Sequence, residues 1–123
     1  MTIDANFLDN LSNDLKRIVS DASEAIMGVY EKNTFDTEIK SDGSPVTEAD
    51  ESANKIIIQS LNIISPDISI VSEETYDKSA EIPHEPYWLV DPLDGTKEFI
   101  NKSKDFTVNI ALIKESKPVY GII

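Results

Sequence analysis

The sequence predicts an α+β fold, and three observations carry that expectation. An apolar stripe recurs every three or four residues from Phe7 to Val29, the period of a helix. Phe106, Val108, Ile110 and Leu112 alternate with Thr107, Asn109, Ala111 and Ile113, the period of a strand. Helical patterns come first and strand patterns follow, which favours layered α+β packing over a simple βαβ alternation.

The first helix is expected from about Asp4 to Tyr30. Phe7, Leu8, Leu11, Leu15, Ile18, Val19, Ala22, Ile26 and Val29 form its apolar face, and Lys16, Arg17, Asp21 and Glu24 fall largely opposite. Packing on the protein's own sheet accounts for that face. Residues 38–40 read as a short strand and 41–45 as turn chemistry. Thr47 is a plausible helix N-cap, followed by the acids Glu48 and Asp50, where the helix dipole favours them. Ala53, Ile56, Ile57, Leu61 and Ile64 carry this second helix to a stop near Ser65-Pro66. Residues 67–72 are a strand candidate, and 75–86 a polar surface loop. Residues 87–90 form the next strand and 97–101 a helical turn. The strand at 106–113 then turns at 114–118 into a hairpin partner at 119–123.

Composition narrows the function classes. The chain has 123 residues, 40% hydrophobic and 28% charged, enough for one packed domain or part of a larger one. It lacks cysteine, which excludes disulfides and thiolate metal sites. The first six residues lack a signal-peptide pattern, and no apolar run approaches the roughly 20 residues of a membrane span. A soluble cytoplasmic protein is the expectation. Eleven basic against 23 acidic residues give a net charge of −12, which argues against a nucleic-acid polymer as partner. Much of that acidity simply keeps a surface soluble. A small phosphate ligand remains compatible, provided local positive charge meets it, and divalent cations are an obvious source.

The chemistry concentrates in Tyr87-Trp88-Leu89-Val90-Asp91-Pro92-Leu93-Asp94-Gly95-Thr96-Lys97-Glu98-Phe99. A strand-like apolar run ends in Asp-Pro-Leu-Asp-Gly-Thr. Asp91 and Asp94 offer hard oxygen ligands of the kind magnesium prefers. Pro92 fixes a backbone angle and can leave the Leu93 carbonyl facing a metal. Gly95 lets a ligand approach the backbone, and a helical turn starting at Thr96 or Lys97 would present free N–H groups to an anion. Glu73-Glu74 follows another strand candidate, so two neighbouring strand ends could bring Glu73 to Asp91. An isolated Glu-Glu or Asp-Gly would be an ordinary surface feature; the six-residue run is far more specific.

With these residues stand Ser44-Pro45-Val46-Thr47-Glu48-Ala49-Asp50 and Ser72-Glu73-Glu74. Together they resemble the inositol monophosphatase superfamily of magnesium-dependent, lithium-sensitive phosphatases. Ser-Pro-Val-Thr-x-Ala-Asp, Asp-Gly-Thr-Lys-Glu-Phe and the run 106–113 look like its bacterial 3′(2′),5′-bisphosphate nucleotidase (CysQ-type) branch. The resemblance covers nearly the whole chain and implies the N-terminal part of a layered αβαβα sugar-phosphatase fold. It implies Mg2+ as cofactor, with Glu73, Asp91, Asp94 and the Leu93 carbonyl as ligands and Asp91 bridging two ions. Gly95 and Thr96 would hold the scissile phosphate through backbone N–H groups, beside Glu73, Leu93 and Asp94. Thr96, oriented by Asp50, would work with Glu73 on the attacking water. Glu74 and Lys40 would lie nearby.

The implied reaction converts adenosine 3′,5′-bisphosphate to AMP and phosphate, in the cytoplasm or at the periphery of the inner membrane, as part of sulfur assimilation. Two rivals stay open: an inositol-phosphate or sugar phosphatase, and a truncated, catalytically silent metal-binding domain. The second arises because the family's second half, with its Trp-Asp motif, has no match here, and because Ile122-Ile123 ends the chain within a strand pattern. All of residues 1–123 are thus expected to be the first half of a longer domain. Its unpaired last strand could support a homodimer. His84 reads as a surface residue, Trp88 as core, and Lys97 as an exposed lysine rather than a phosphate contact.

Overall fold

The computed structural model describes residues 5–32, 34–40, 45–75 and 83–123. Helix α1 (Ala5–Tyr30) buries Leu11, Leu15, Ile18, Ala22, Ile26 and Val29, the stripe that its sequence period dictates. At its C-terminus the Lys102 ammonium reaches the Tyr30 carbonyl and sits 4.4 Å from the centre of the Tyr30 ring. A cation there meets the negative end of the helix dipole and ties a distant loop to α1.

Two short strands, β1 (Thr37–Ile39) and β2 (Pro45–Thr47), pair antiparallel with Thr37 opposite Thr47. The second was not expected, because three residues give too short a pattern to separate from a turn. The turn expected over 41–45 lies outside the described residues except at its last position. Helix α2 (Glu48–Ile64) follows directly, with Thr47 as N-cap and Asp50 completing a capping box. The Ser65 N–H closes it on the Leu61 carbonyl at 2.9 Å, and Pro66 cannot continue it.

The main sheet holds β3 (Ser69–Ser72), β4 (Tyr87–Asp94), β5 (Thr107–Lys114) and β6 (Lys117–Ile122), in that order across the sheet. The pair β3–β4 is parallel; the other two pairs are antiparallel. Between β4 and β5 lies a single short helix, α3 (Thr96–Ile100). Helices α1 and α2 cover one face of the sheet, where Trp88, Val90, Leu93, Val108, Ile110 and Leu112 complete the core. Trp88 is fully buried, and its Nε1–H donates to Ser65 Oγ at 2.9 Å. That places it in the core as expected, with its polar end satisfied. The other face of the sheet is open, and Leu89 and Val119 are exposed on it.

Two boundaries that bear on the site differ from the sequence reading. Strand β4 continues to Asp94 rather than stopping at Val90, for a reason that shapes the site. The turn after β5 is tighter than 114–118: Glu115 and Ser116, both at positive φ, make it, and β6 resumes at Lys117. The loop expected over 75–86 falls mostly outside the described residues. No helix among the described residues is long and apolar enough to cross a membrane.

Candidate active site

In a regular strand, residues three apart face opposite sides of the sheet. Asp91 and Asp94 escape that rule. Asp91 pairs with Asn109 and Asp94 with Thr107, so β4 advances three residues while β5 advances two. One extra residue, a β-bulge, is absorbed between them. Pro92 and Leu93 are consequently buried in succession, and both aspartates return to the open face. Pro92 suits the position because it has no N–H to lose from the ladder.

Strand β3 runs parallel to β4 with Ser72 opposite Val90. The Glu73 N–H then donates to the Val90 carbonyl at 2.9 Å, extending the pairing one step. Parallel strands finish at the same end of the sheet, so Glu73 arrives beside Asp91. Burial pushes the Asp91 carboxyl up to about 6, and the charges of Glu73 and Asp94 add to the rise; a hydrogen bond from the Leu93 backbone opposes it, and Glu74 contributes a little more. The Glu74 side chain is largely buried and pairs with Lys40 at 3.2 Å. Burial raises its carboxyl, with the Lys40 hydrogen bond and charge pulling back.

Beyond the bulge, Gly95 adopts the left-handed conformation at φ 97° and caps α3. A Cβ there would stand 2.7 Å from the Asp105 carbonyl oxygen, so no larger residue fits this backbone. Gly95→Ala is expected to cost about 2–4 kcal/mol, combining left-handed strain with a backbone clash. Thermal unfolding would check this, and an unchanged melting temperature would contradict it.

The turn delivers Thr96 to Asp50. The Thr96 hydroxyl donates to Asp50 Oδ1 at 2.8 Å, with the Leu93 carbonyl at 3.3 Å as a poorer alternative. Asp50 is fully buried, and its Oδ2 accepts the Thr47 N–H at 2.9 Å and the Thr47 hydroxyl at 2.6 Å. The cap of α2 thus locks the carboxylate that orients Thr96. With that proton committed to Asp50, the Thr96 lone pairs are free to accept from a water.

The structure brings Glu73, Asp91 and Asp94 to one end of the sheet, next to Leu93, Gly95, Thr96 and Asp50. His84 and Lys97 are exposed. Two polar groups escaped the sequence reading. Asn54 accepts a hydrogen bond from the Ser72 hydroxyl in the core, tying α2 to the strand end that carries Glu73. Asn109 faces Asp91 across the ladder, and its Nδ2 donates to Asp94 Oδ2 at 3.3 Å. Its Oδ1 is buried without a partner. The available signal was a carboxamide in the middle of a mostly apolar strand pattern.

Among the described residues, no three His, Cys, Asp or Glu side chains already close around a point that could hold a metal. Like charges kept apart from any counter-charge do not draw together. The donor set nevertheless fits a hard divalent cation: carboxylate and carbonyl oxygens only, with an orphaned amide oxygen beside them. A concavity of about 590 Å³ opens over Glu73, Asp91 and Asn109, floored by Leu89, Ala111 and Gly121.

Comparison with known proteins bears on what this arrangement is. The 3′(2′),5′-bisphosphate nucleotidase CysQ of Salmonella typhimurium is 46% identical over 109 residues, which is 87% of this chain and 44% of that protein. The crystal structure of CysQ from Bacteroides thetaiotaomicron superposes with a TM-score of 0.70 at 41% identity, covering 89% of this chain and 41% of that one. The extragenic suppressor protein suhB from Bartonella henselae superposes at 0.79 with 29% identity, over 91% of this chain and 43% of its own. The chain spans less than half the length of the curated relatives it matches. The inositol monophosphatase family profile matches residues 8–123, a stretch that includes the bulged strand, the capped Asp50 and Glu73 alike. The chain belongs to the inositol monophosphatase family.

Proposed function

We propose that the protein acts as a magnesium-dependent 3′(2′),5′-bisphosphate nucleotidase in the cytoplasm. In this reading water attacks the 3′-phosphate of adenosine 3′,5′-bisphosphate, the ester P–O bond breaks, and AMP and phosphate leave. The observation that carries the reading is the gathering of Glu73, Asp91 and Asp94 beside the Thr96–Asp50 pair. The names of relatives at 41–46% identity support the choice of substrate, which recycles a by-product of sulfur assimilation.

Glu73, Asp91, Asp94 and the Leu93 carbonyl would hold the cation. Bound Mg2+ would lower the pKa of a water, neutralise phosphate charge and stabilise the leaving oxygen. The chain's own residues do the positioning. Thr96, its proton held by Asp50, accepts a hydrogen bond from the attacking water and aims it. Glu73, exposed at the strand end, is placed to take the water's proton. The Gly95 and Thr96 backbone N–H groups meet the phosphate oxygens. The net charge of −12 makes a small substrate more favourable than a polyanion.

Phosphate release from adenosine 3′,5′-bisphosphate, with inositol 1-phosphate and a magnesium-free control alongside, tests this. Metal-dependent release from the nucleotide is expected to exceed release from the inositol ester by at least tenfold. The opposite preference would replace the reading by a sugar phosphatase. No release from either, with magnesium still bound, would leave a silent metal-binding domain.

A further inference from the structure

We infer that Asn109 is a positioning residue of the cation site, holding Asp94 through its Nδ2 and accepting, through Oδ1, from water in the ion's hydration shell. This rests on the metal-site reading above and adds to it a residue and a mode of contact. The geometry starts from the ladder. Asn109 is the cross-strand partner of Asp91, and the bulge brings Asp94 back within its reach at 3.3 Å. One residue thus stands opposite Asp91 on the ladder and bonds Asp94 beyond the irregularity that makes the site. Cross-strand neighbours at such positions stand about 4.5–5.5 Å apart at Cβ.

The decisive feature is a shortage of donors. Asp91, Asp94 and Glu73 are acceptors when ionised, and so is the Leu93 carbonyl. The Nδ2 of Asn109 is a donor in this group, and one of its bonds goes to Asp94. Its Oδ1 is the buried side-chain oxygen left without a partner among the described residues. A buried, unpaired amide oxygen is destabilising, so its retention calls for a partner that arrives from outside. Another anion would make the shortage worse. A hydrated divalent cation supplies both missing quantities: positive charge for the carboxylates and O–H donors for the amide oxygen. Magnesium keeps several of its waters when it binds, which makes contact through water the natural mode here. Residues that orient ligands in this way change metal affinity by about 10–100-fold when replaced.

The test uses two substitutions of nearly the same shape. Asn109→Thr keeps a hydroxyl that can donate and accept; Asn109→Val puts a methyl in its place. Both residues suit a strand, and thermal unfolding without metal checks that both variants fold. Magnesium binding by calorimetric titration is the readout, independent of turnover. Asn109→Val is expected to weaken magnesium binding about tenfold, with Asn109→Thr recovering a large part of the loss. Asn109→Val within twofold of the parent would overturn the inference, and so would equal weakening in both variants, since packing alone would then explain it. A parent protein that binds no magnesium would overturn the metal-site reading itself, which separates that failure from this one.

Discussion

Asp91→Asn is expected to make the metal-free protein more stable while removing its response to magnesium. Asp91 is half-buried between Glu73 and Asp94, and its carboxyl is pushed up to about 6 by burial and by those charges. The folded chain therefore holds this proton to higher pH than the unfolded chain does. The stability linked to it is fully present below about pH 4 and is lost as pH rises through about 6. At pH 8 the parent carries the whole penalty and the neutral amide carries none of it. After discounting for solvent screening of a half-exposed group, the gain is about 1 kcal/mol. At pH 4 the difference should nearly vanish. Magnesium is expected to invert the order: it would stabilise the parent by mass action and would have lost a ligand in the variant. Hydrolysis should fall at least a hundredfold, a cost of about 2.7 kcal/mol in the barrier. Melting curves at pH 4 and 8, with and without magnesium, read the whole pattern. Activity above a tenth of the parent would remove Asp91 from the cation site. A destabilised variant at pH 8 would show that the carboxylates do not oppose one another.

That prediction depends on a bulge the sequence disclosed only in part. Both long helices were legible because their apolar spacing is long and regular, and the Thr47 cap because its chemistry is local. Strand β5 was legible from its alternation. The end of β4 was misplaced because Asp-Pro-Leu-Asp breaks that alternation, and a broken pattern reads as a finished strand. The structure keeps the strand and breaks the register instead, which Pro92 tolerates at a bulge. The consequence is functional: without the extra residue, Asp91 and Asp94 would lie on opposite faces.

Side-chain partnerships were harder to read than elements, because they depend on pairs far apart in sequence. Glu73 and Glu74 are adjacent, yet strand geometry gives one to the carboxylate group and the other to Lys40. Asn109 looked like one polar member of an alternating strand until its neighbour across the ladder was known. The Thr96–Asp50 contact, 46 residues apart, was legible only through family resemblance. Nothing in the local sequence of α2 distinguishes a capping-box acid from one that also orients a hydroxyl.

Asp50 joins stability and chemistry in one carboxylate, and two substitutions should separate them. Thr47 donates twice to Oδ2, while Thr96 donates once to Oδ1. Asp50→Asn can keep its carbonyl toward Thr47, preserving the cap of α2. Its amide then faces Thr96 as a donor where Asp50 was an acceptor. The Thr96 hydroxyl must turn its proton away, toward the Leu93 carbonyl, and one of its two lone pairs is taken by the amide. A water at the site then meets an acceptor aimed in a different direction. Turnover is expected to fall about a hundredfold, the lower range for losing a positioned proton acceptor, with magnesium affinity within threefold of the parent. Asp50→Ala should show the same loss of turnover plus a stability cost. Losing the capping box costs about 1 kcal/mol, and leaving the buried Thr47 donors unpaired adds about 1–3 kcal/mol. Turnover, magnesium titration and thermal unfolding on both variants decide the matter. Parental turnover in Asp50→Asn would mean that the buried acid only caps a helix, and that Thr96 needs no orientation. Equal melting temperatures for the Asn and Ala variants would mean that the capping box contributes nothing that the rest of α2 does not already supply.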